Sequence, residues 1–504
     1  MKSQYLALLL CSLLLINLTF SANTVKQTIS GKNKFTVGNG QNSSKGNTKA
    51  SQSSDVSGQN NNVNQDMTVS GTNTGAQDLT QSATVNGNGN SVNNKLIATQ
   101  TNKDGSTATI GQDQKINGDN NVAVQELGAA GTNGGSFTAQ QNGNIEGDNN
   151  SASQKSAAIV VADNGAVVSV KQNGNIRGSN NNDIDQGQVI LNSNDAGAML
   201  FNQESNIEGD DNDNIEQTQV SLGLDDTSAS IANQNHDIKG NNNDDISQRQ
   251  NLVYGNTNSI GSGFWQTNKV EGNNNNDISQ EQSVPVSTDN GSSSISAQNN
   301  EITGDSNFNV TQIQAPSLTN DHGSSSRSQQ DNVVIGNGNN GVNQTQEGET
   351  SNDNGSQFQT YQDNKIDGDN SNDVIQRQNQ ITRNDNNAVA TYQQNNNFNG
   401  DENSLAQGQL NAMTTESGAT SNYQQNSEVQ GNGNAIGQNQ ANLDSNSNGA
   451  NVGFNQIINN QGNNNGVLQL LLSQNTNDGT PRQTTQTNNV QGDNQIIGNA
   501  APDP

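Results

Sequence analysis

Hydrophobic residues along this chain come in short alternating runs on either side of a recurring glycine. Ala232, Gln234, His236 and Ile238 share one parity before Gly240, and Ile246, Gln248, Gln250 and Leu252 share one parity after it. A period of two marks a strand with one buried face, because alternate side chains of an extended chain point to opposite sides. A helix would need apolar residues three and four apart, and the Gly and Asn content would weaken it. The segments between paired runs, such as GDNN, GNNNND and GSNNND, supply residues that tolerate positive φ and read as tight turns. The segments that close each unit, such as LDDTS, STDNGSSS, TNDHGSSS and DSNSNGA, vary in sequence and length and read as loose, exposed loops.

Aligned on this glycine, the chain resolves into sixteen repeats, from Gly31 and Gly58 to Gly462 and Gly492, spaced 27 to 32 residues apart. A period of this size predicts a solenoid in which each repeat is one stacked unit. Two residues before the glycine stands an aliphatic residue or Phe in all repeats but one, where it is Asn460. Six residues before it stands Gln in all but the first, which has Val25; the column includes Gln141, Gln172, Gln203, Gln234, Gln266, Gln298, Gln330, Gln362, Gln394 and Gln425. A second column follows the glycine: Gln186, Gln217, Gln248, Gln280, Gln312, Gln344 and Gln376. It lies eight residues after the glycine in the repeats from Gly178 to Gly368 and seven after it in the flanking repeats. A third Gln often stands two further on, as at Gln188 and Gln250. Phe201, Phe264, Tyr392, Tyr423 and Phe454, eight before their glycines, keep the inward parity.

The expected fold is therefore all-β, a β-solenoid of about 16 stacked two-strand coils with a period of about 31 residues and internal Gln/Asn ladders. The ladders follow from the energetics of burial. A buried amide is costly unless hydrogen-bonded. Stacking places the same Gln above itself at about 4.8 Å, where each amide can donate to the next carbonyl. Periodicity thus makes a polar core affordable, with roughly 75 Å spanned by sixteen coils at that rise.

Composition sharpens this picture. Of 504 residues only 27% are hydrophobic and 3% aromatic, too few for a conventional core of that size. The formal charge of −28 argues against nucleic acid, whose phosphates require Lys and Arg clusters. Residues 1–22 carry Lys2, an apolar run from Leu6 to about Leu18 and then small residues, the pattern of a secretory signal peptide and too short to span a membrane. The sole cysteine, Cys11, lies within it, so the mature chain has no disulfide to rely on. Residues 23–500 form the repeat region and 501–504 a short tail. Repeats running almost from end to end predict uncapped strand edges and head-to-tail self-association.

Candidate chemistry is sparse. His236 has inward parity, where other repeats usually carry Asn, and His322 falls in a closing loop; neither has the neighbours for a zinc site or a hydrolytic triad. The acidic turns are the one ligand candidate. Asp119, Asp148, Asp210, Asp305, Asp369, Asp401 and Asp493 directly follow their glycines, and Asp244, Asp245 and Asp277 add carboxylates nearby. Such oxygens suit Ca²⁺, but the calcium β-roll glycine pattern is not matched. Solubility and control of sideways aggregation account for the same residues. No other cofactor is expected.

The segment GDNNSASQ gives Gly147, Asn150, Ala152 and Gln154; GDNNVAVQ gives Gly118, Asn121, Ala123 and Gln125; GDENSLAQGQ gives Gly400, Asn403, Leu405 and Gln409; GNGNAIGQNQ gives Gly431, Asn434, Ile436 and Gln440. These turns resemble curlin repeats, the units of curli-type functional amyloid. The likeness covers about 470 residues in weak form. It departs from the family where Ile or Val replaces the Gln two before the glycine, in the longer period, and in the extra turn residue of the central repeats. It implies a stacked solenoid and a fibre-forming role. The expected function is a secreted, non-enzymatic structural protein that forms or decorates an extracellular fibre, coat or matrix, with itself and other matrix proteins as partners. The alternative is a soluble monomeric solenoid that binds Ca²⁺, ice or glycan along one face.

Overall fold

The computed structural model describes residues 23–500, apart from 31–33, 45–47, 74–75, 103–106, 134, 163–166, 195–197, 227–228, 258–260, 372, 386, 416–417, 447–450, 464–465, 478–481 and 493–495. The signal segment, Cys11, the tail, Gly31 and Asp493 lie outside the described residues. The described chain is all-β: successive strands alternate between two parallel sheets of 16 strands each, so each coil contributes one strand to each sheet. Strands such as Ala229–Lys239 belong to the first sheet and strands such as Ile246–Thr257 to the second. Because side chains alternate across a strand, burial alternates residue by residue, as along Ala229–Lys239.

Register follows the repeat. Gln203 pairs with Gln172 and with Gln234, and Gln248 with Gln217 and Gln280. Like therefore stacks on like. The space between the sheets divides into three zones. On the turn side lies an aliphatic column that includes Ile207, Ile238, Ile246 and Val270. On the loop side lies a mixed aliphatic and aromatic cluster that includes Phe201, Leu252, Tyr254 and Phe264. The inward-facing glutamines of the columns occupy the strip between these two dehydrated zones, 5% exposed or less.

The turn glycine is dictated by crowding. Gly272 has φ of +146°, and a Cβ there would lie 1.8 Å from the carbonyl oxygen of Gly240 in the coil below. Only glycine supplies that conformation and that approach. In the central coils the extra turn residue is a second left-handed position five after the glycine: Asp183, Asn214, Asp245, Asp277, Asn309, Gly341 and Asp373, with φ between 49° and 65°. It lets the strand resume in register, so that Ile184 still pairs with Ala152 at one border of the block and Val374 with Leu405 at the other.

Three closing segments in the described residues differ from the loose loops expected. At Asn290–Gly291, His322–Gly323 and Asn354–Gly355 both residues have positive φ, a compact two-residue turn. The preceding aspartate caps each turn: Asp289 Oδ1 accepts from Asn290 N at 2.7 Å, Asp321 Oδ1 from His322 N at 2.7 Å, and Asp353 Oδ1 from Asn354 N at 2.7 Å. Asp, Asn and Gly in these segments serve turn chemistry.

Candidate functional site

The built feature of this molecule is its amide core. In the second sheet, Gln154 through Gln407 form one chain of eight side-chain hydrogen bonds of 2.8–3.1 Å, one per coil step. Beside it, Gln188 through Gln409 form seven more, of 2.8–3.2 Å. The first-sheet column runs in three pieces, Gln52 to Gln141, Gln172 to Gln298 and Gln330 to Gln425, with bonds of 2.7–3.1 Å. Between the first two pieces Gln172 turns its amide to Ser156. Between the last two, Gln298 Oε1 and Gln330 Nε2 have no protein partner. All seventeen glutamines expected to form ladders are buried.

A primary amide has two donor hydrogens, and the ladder uses only one. The other ties the sheets together. Gln282 Nε2 also donates to Asn299 O at 3.1 Å, Gln314 to Asp331 O at 2.9 Å, Gln346 to Asp363 O at 3.0 Å and Gln378 to Asn395 O at 2.9 Å, all on first-sheet strands. Space for these side chains is reserved opposite: a Cβ on Gly174 would lie 2.5 Å from Gln154 Oε1 and from Gln186 Nε2.

The columns have direction. Every glutamine-to-glutamine bond runs from one coil to the coil before it. The asparagine column of the first sheet runs the other way: Asn268 Nδ2 donates to Asn300 Oδ1, Asn300 to Asn332, Asn332 to Asn364 and Asn364 to Asn396, each at 3.1 Å. The opposed amide dipoles offset one another within the core. His236 sits at the head of this column, 1% exposed, with Nδ1 at 3.0 Å from Asn268 Oδ1. Burial pushes its pKa down to about 3.

A further column stands at the turn, on asparagines that the curlin-like pattern includes but to which the sequence assigned no role. The asparagine three after the glycine is buried, and it serves two coils. Asn150 Oδ1 accepts from Asn121 N at 2.8 Å, while Asn150 Nδ2 donates to Gly147 O of its own turn at 2.7 Å. Asn181 and Asn212 repeat the arrangement. Its regular offset from the glycine was the available signal.

The acidic candidates take up a structural role. Asp148 N donates to Asp119 Oδ1 at 2.9 Å, Ser179 N to Asp148 Oδ1 at 2.8 Å and Asn241 N to Asp210 Oδ1 at 2.7 Å. Asp305, Asp369 and Asp401 accept in the same way from Asn337, Asp401 and Asn432. The position requires one acceptor oxygen, which explains why Asn and Ser alternate with Asp there. These carboxylates do not converge as a group. The threefold sets among the described residues are Asp244, Asp245 and Asp277, all exposed, and Asp289, Asp321 and His322. Asp244 raises the Asp245 pKa by like-charge proximity. The second set joins two stacked closing turns: His322 Nδ1 lies 2.8 Å from Asp289 Oδ1 and 3.1 Å from Asp321 Oδ2, contacts that raise its pKa.

No protein-family model, curated protein or solved structure matches this chain.

Proposed function

We propose that this chain is a secreted structural protein, a self-assembling curlin-like repeat protein that forms or decorates an extracellular fibre, coat or matrix. The observation that supports it is the equivalence of the coil interfaces. From Gln154 to Gln407 each coil meets the next through paired backbones and an aligned glutamine column. A surface that receives the next coil of its own chain would receive a coil of a second copy by the same hydrogen bonds. The match is directional, because the glutamine columns are polar, so the assembly is head-to-tail. Secretion rests on the apolar run from Leu6 to about Leu18 behind Lys2, and likeness to curlin repeats on the Gly, Asn and Gln offsets at Gly147, Asn150 and Gln154.

The test is seeded growth. Purified mature chain is incubated with and without sonicated preformed fibres while an amyloid dye and turbidity are followed. Seeds are expected to abolish the lag, and the fibres to show a strand repeat of about 4.8 Å along their axis. A chain that stays monomeric at high concentration with seeds present contradicts it and leaves the soluble ligand-binding rod.

A further inference from the structure

The outer face of the second sheet carries an apolar platform that the core does not use. Register stacks Ile159, Leu191, Leu222 and Val253 in one outward column across four successive strands. Ala157, Val189 and Val220 form a second column beside it. These are not residues grazing the surface: Ile159 is 37% exposed, Leu222 39%, Val253 41% and Val189 37%. Pro285 and Ala130 extend the row at either end at intermediate exposure.

Charge marks the platform as distinct from the rest of the molecule. Residues 151–161, 184–193, 215–222 and 246–255, which form this face, contain Lys155 and Arg249 against Asp185 and Glu216, two cations and two anions, within a chain of net charge −28. Lys155 is paired with Asp185 at 2.7 Å, and Arg249 with Glu281 at 2.9 Å. A highly charged partner would find few free counter-charges there. A second copy of this chain, repelled elsewhere by its own negative charge, can approach at this face without that cost. Its own platform has the same strand spacing, so the two sets of side-chain rows can interdigitate. The first sheet offers a poorer counterpart: Leu200, Ile231, Trp265 and Ile295 lie on successive strands that also carry Glu204, Asp237, Lys269 and Glu301 outward.

Size then decides the setting. Four strands at about 4.8 Å and a width of about 13 Å give roughly 250 Å², far below the ~800 Å² per partner typical of a stable complex. One platform cannot hold two single rods. In a filament the platform recurs once per chain, and the contacts of a pair of filaments act together. We propose that filaments of this chain associate laterally in pairs, platform against platform, while the unassembled chain stays unpaired. This rests on the fibre reading above.

The experiment compares filaments of the mature chain with those of Leu222→Lys/Val253→Lys, and with Ile159→Thr/Leu222→Thr/Val253→Thr, which keeps strand-forming residues in case the charged variant does not fold. Seeded elongation rate and filament width by electron microscopy are measured on each. The expected result is paired filaments for the parent, single filaments for the folded variants and elongation rates within about twofold. Single parent filaments, or variants that pair as the parent does, overturn the platform while leaving the fibre reading intact. A parent chain that forms no filament at all overturns both.

Discussion

Gln248 donates from Nε2 to Gln217 Oε1 at 3.0 Å, across 31 residues of sequence and one step of the stack. Neither amide is exposed. Each is satisfied only because the next coil repeats it, so the polar core depends on periodicity. A buried amide without its partner costs about 1–3 kcal/mol, and a break in a column falls on both its faces.

His236 shows the effect of one departure from the repeat. Its Nε2 has no protein partner, and neither has Ser205 Oγ, its register neighbour in the preceding coil. His236→Asn would place a donor toward Asn268 and an acceptor toward Ser205. The expected gain is about 1 kcal/mol, read as a higher midpoint in chemical denaturation at neutral pH. The acid limb should change too. The folded pKa of about 3 lies below the unfolded 6.5, so His236 costs stability progressively as pH falls from 6.5 toward 3. In the variant that contribution should be absent.

Asp331 and Asp363 pair directly in register on the outer face of the first sheet. Burial first, and then the neighbouring Asp331 charge, raise the Asp363 pKa to about 6. The shift is upward from 3.8, so the ionised group opposes folding at neutral pH; stability rises as pH falls through 6, and the gain is complete below 3.8. Asn395 occupies the next position in the column. Asp363→Asn should therefore raise the melting temperature at pH 7.5, by about 2 °C or more, with the advantage shrinking toward pH 4. A pH-independent difference would contradict the assignment.

Coils should be removable as whole units. Deleting residues 241–272 takes out one strand of each sheet and rejoins a turn glycine to a turn asparagine, leaving parallel register intact. Deleting sixteen residues instead would put first-sheet strands onto second-sheet strands. Circular dichroism and thermal melting should show a folded, slightly less stable solenoid for the first deletion and loss of cooperative melting for the second.

Much of this was legible in the chain because strand parity and a fixed offset are one-dimensional signals. Gln at six before and seven or eight after the glycine, with Ile at two before, identifies the inward face without coordinates. The change of offset at Gly178 was visible as well, but its cause, a left-handed residue at Asp183 and its equivalents, was not, since Asp and Asn serve in many turns. The role of Asn150 was hidden for a related reason. One side chain closes its own turn and also accepts from the coil before, and only the stack brings those groups together. The closing turns at Asn290 and Asn354 read as loose because their neighbours vary, although the Asp-x-Gly order carried the turn. The paired closing turns that join His322 to Asp289 lie 33 residues apart in sequence, beyond any local pattern.

The most direct test of the periodic amide core sets one inward position against one outward position on the same strand. Gln248 is fully buried in its column, whereas Asn251 faces outward on Ile246–Thr257. Melting temperatures of Gln248→Lys and Asn251→Lys are measured at equal concentration and pH 7.5. Gln248→Lys, which buries an unpaired charge and breaks the column on both sides, is expected to lower the melting temperature by about 6 °C or more or to abolish the cooperative transition. Asn251→Lys should stay within about 2 °C of the parent. Equal shifts for the two variants would contradict the buried ladder itself.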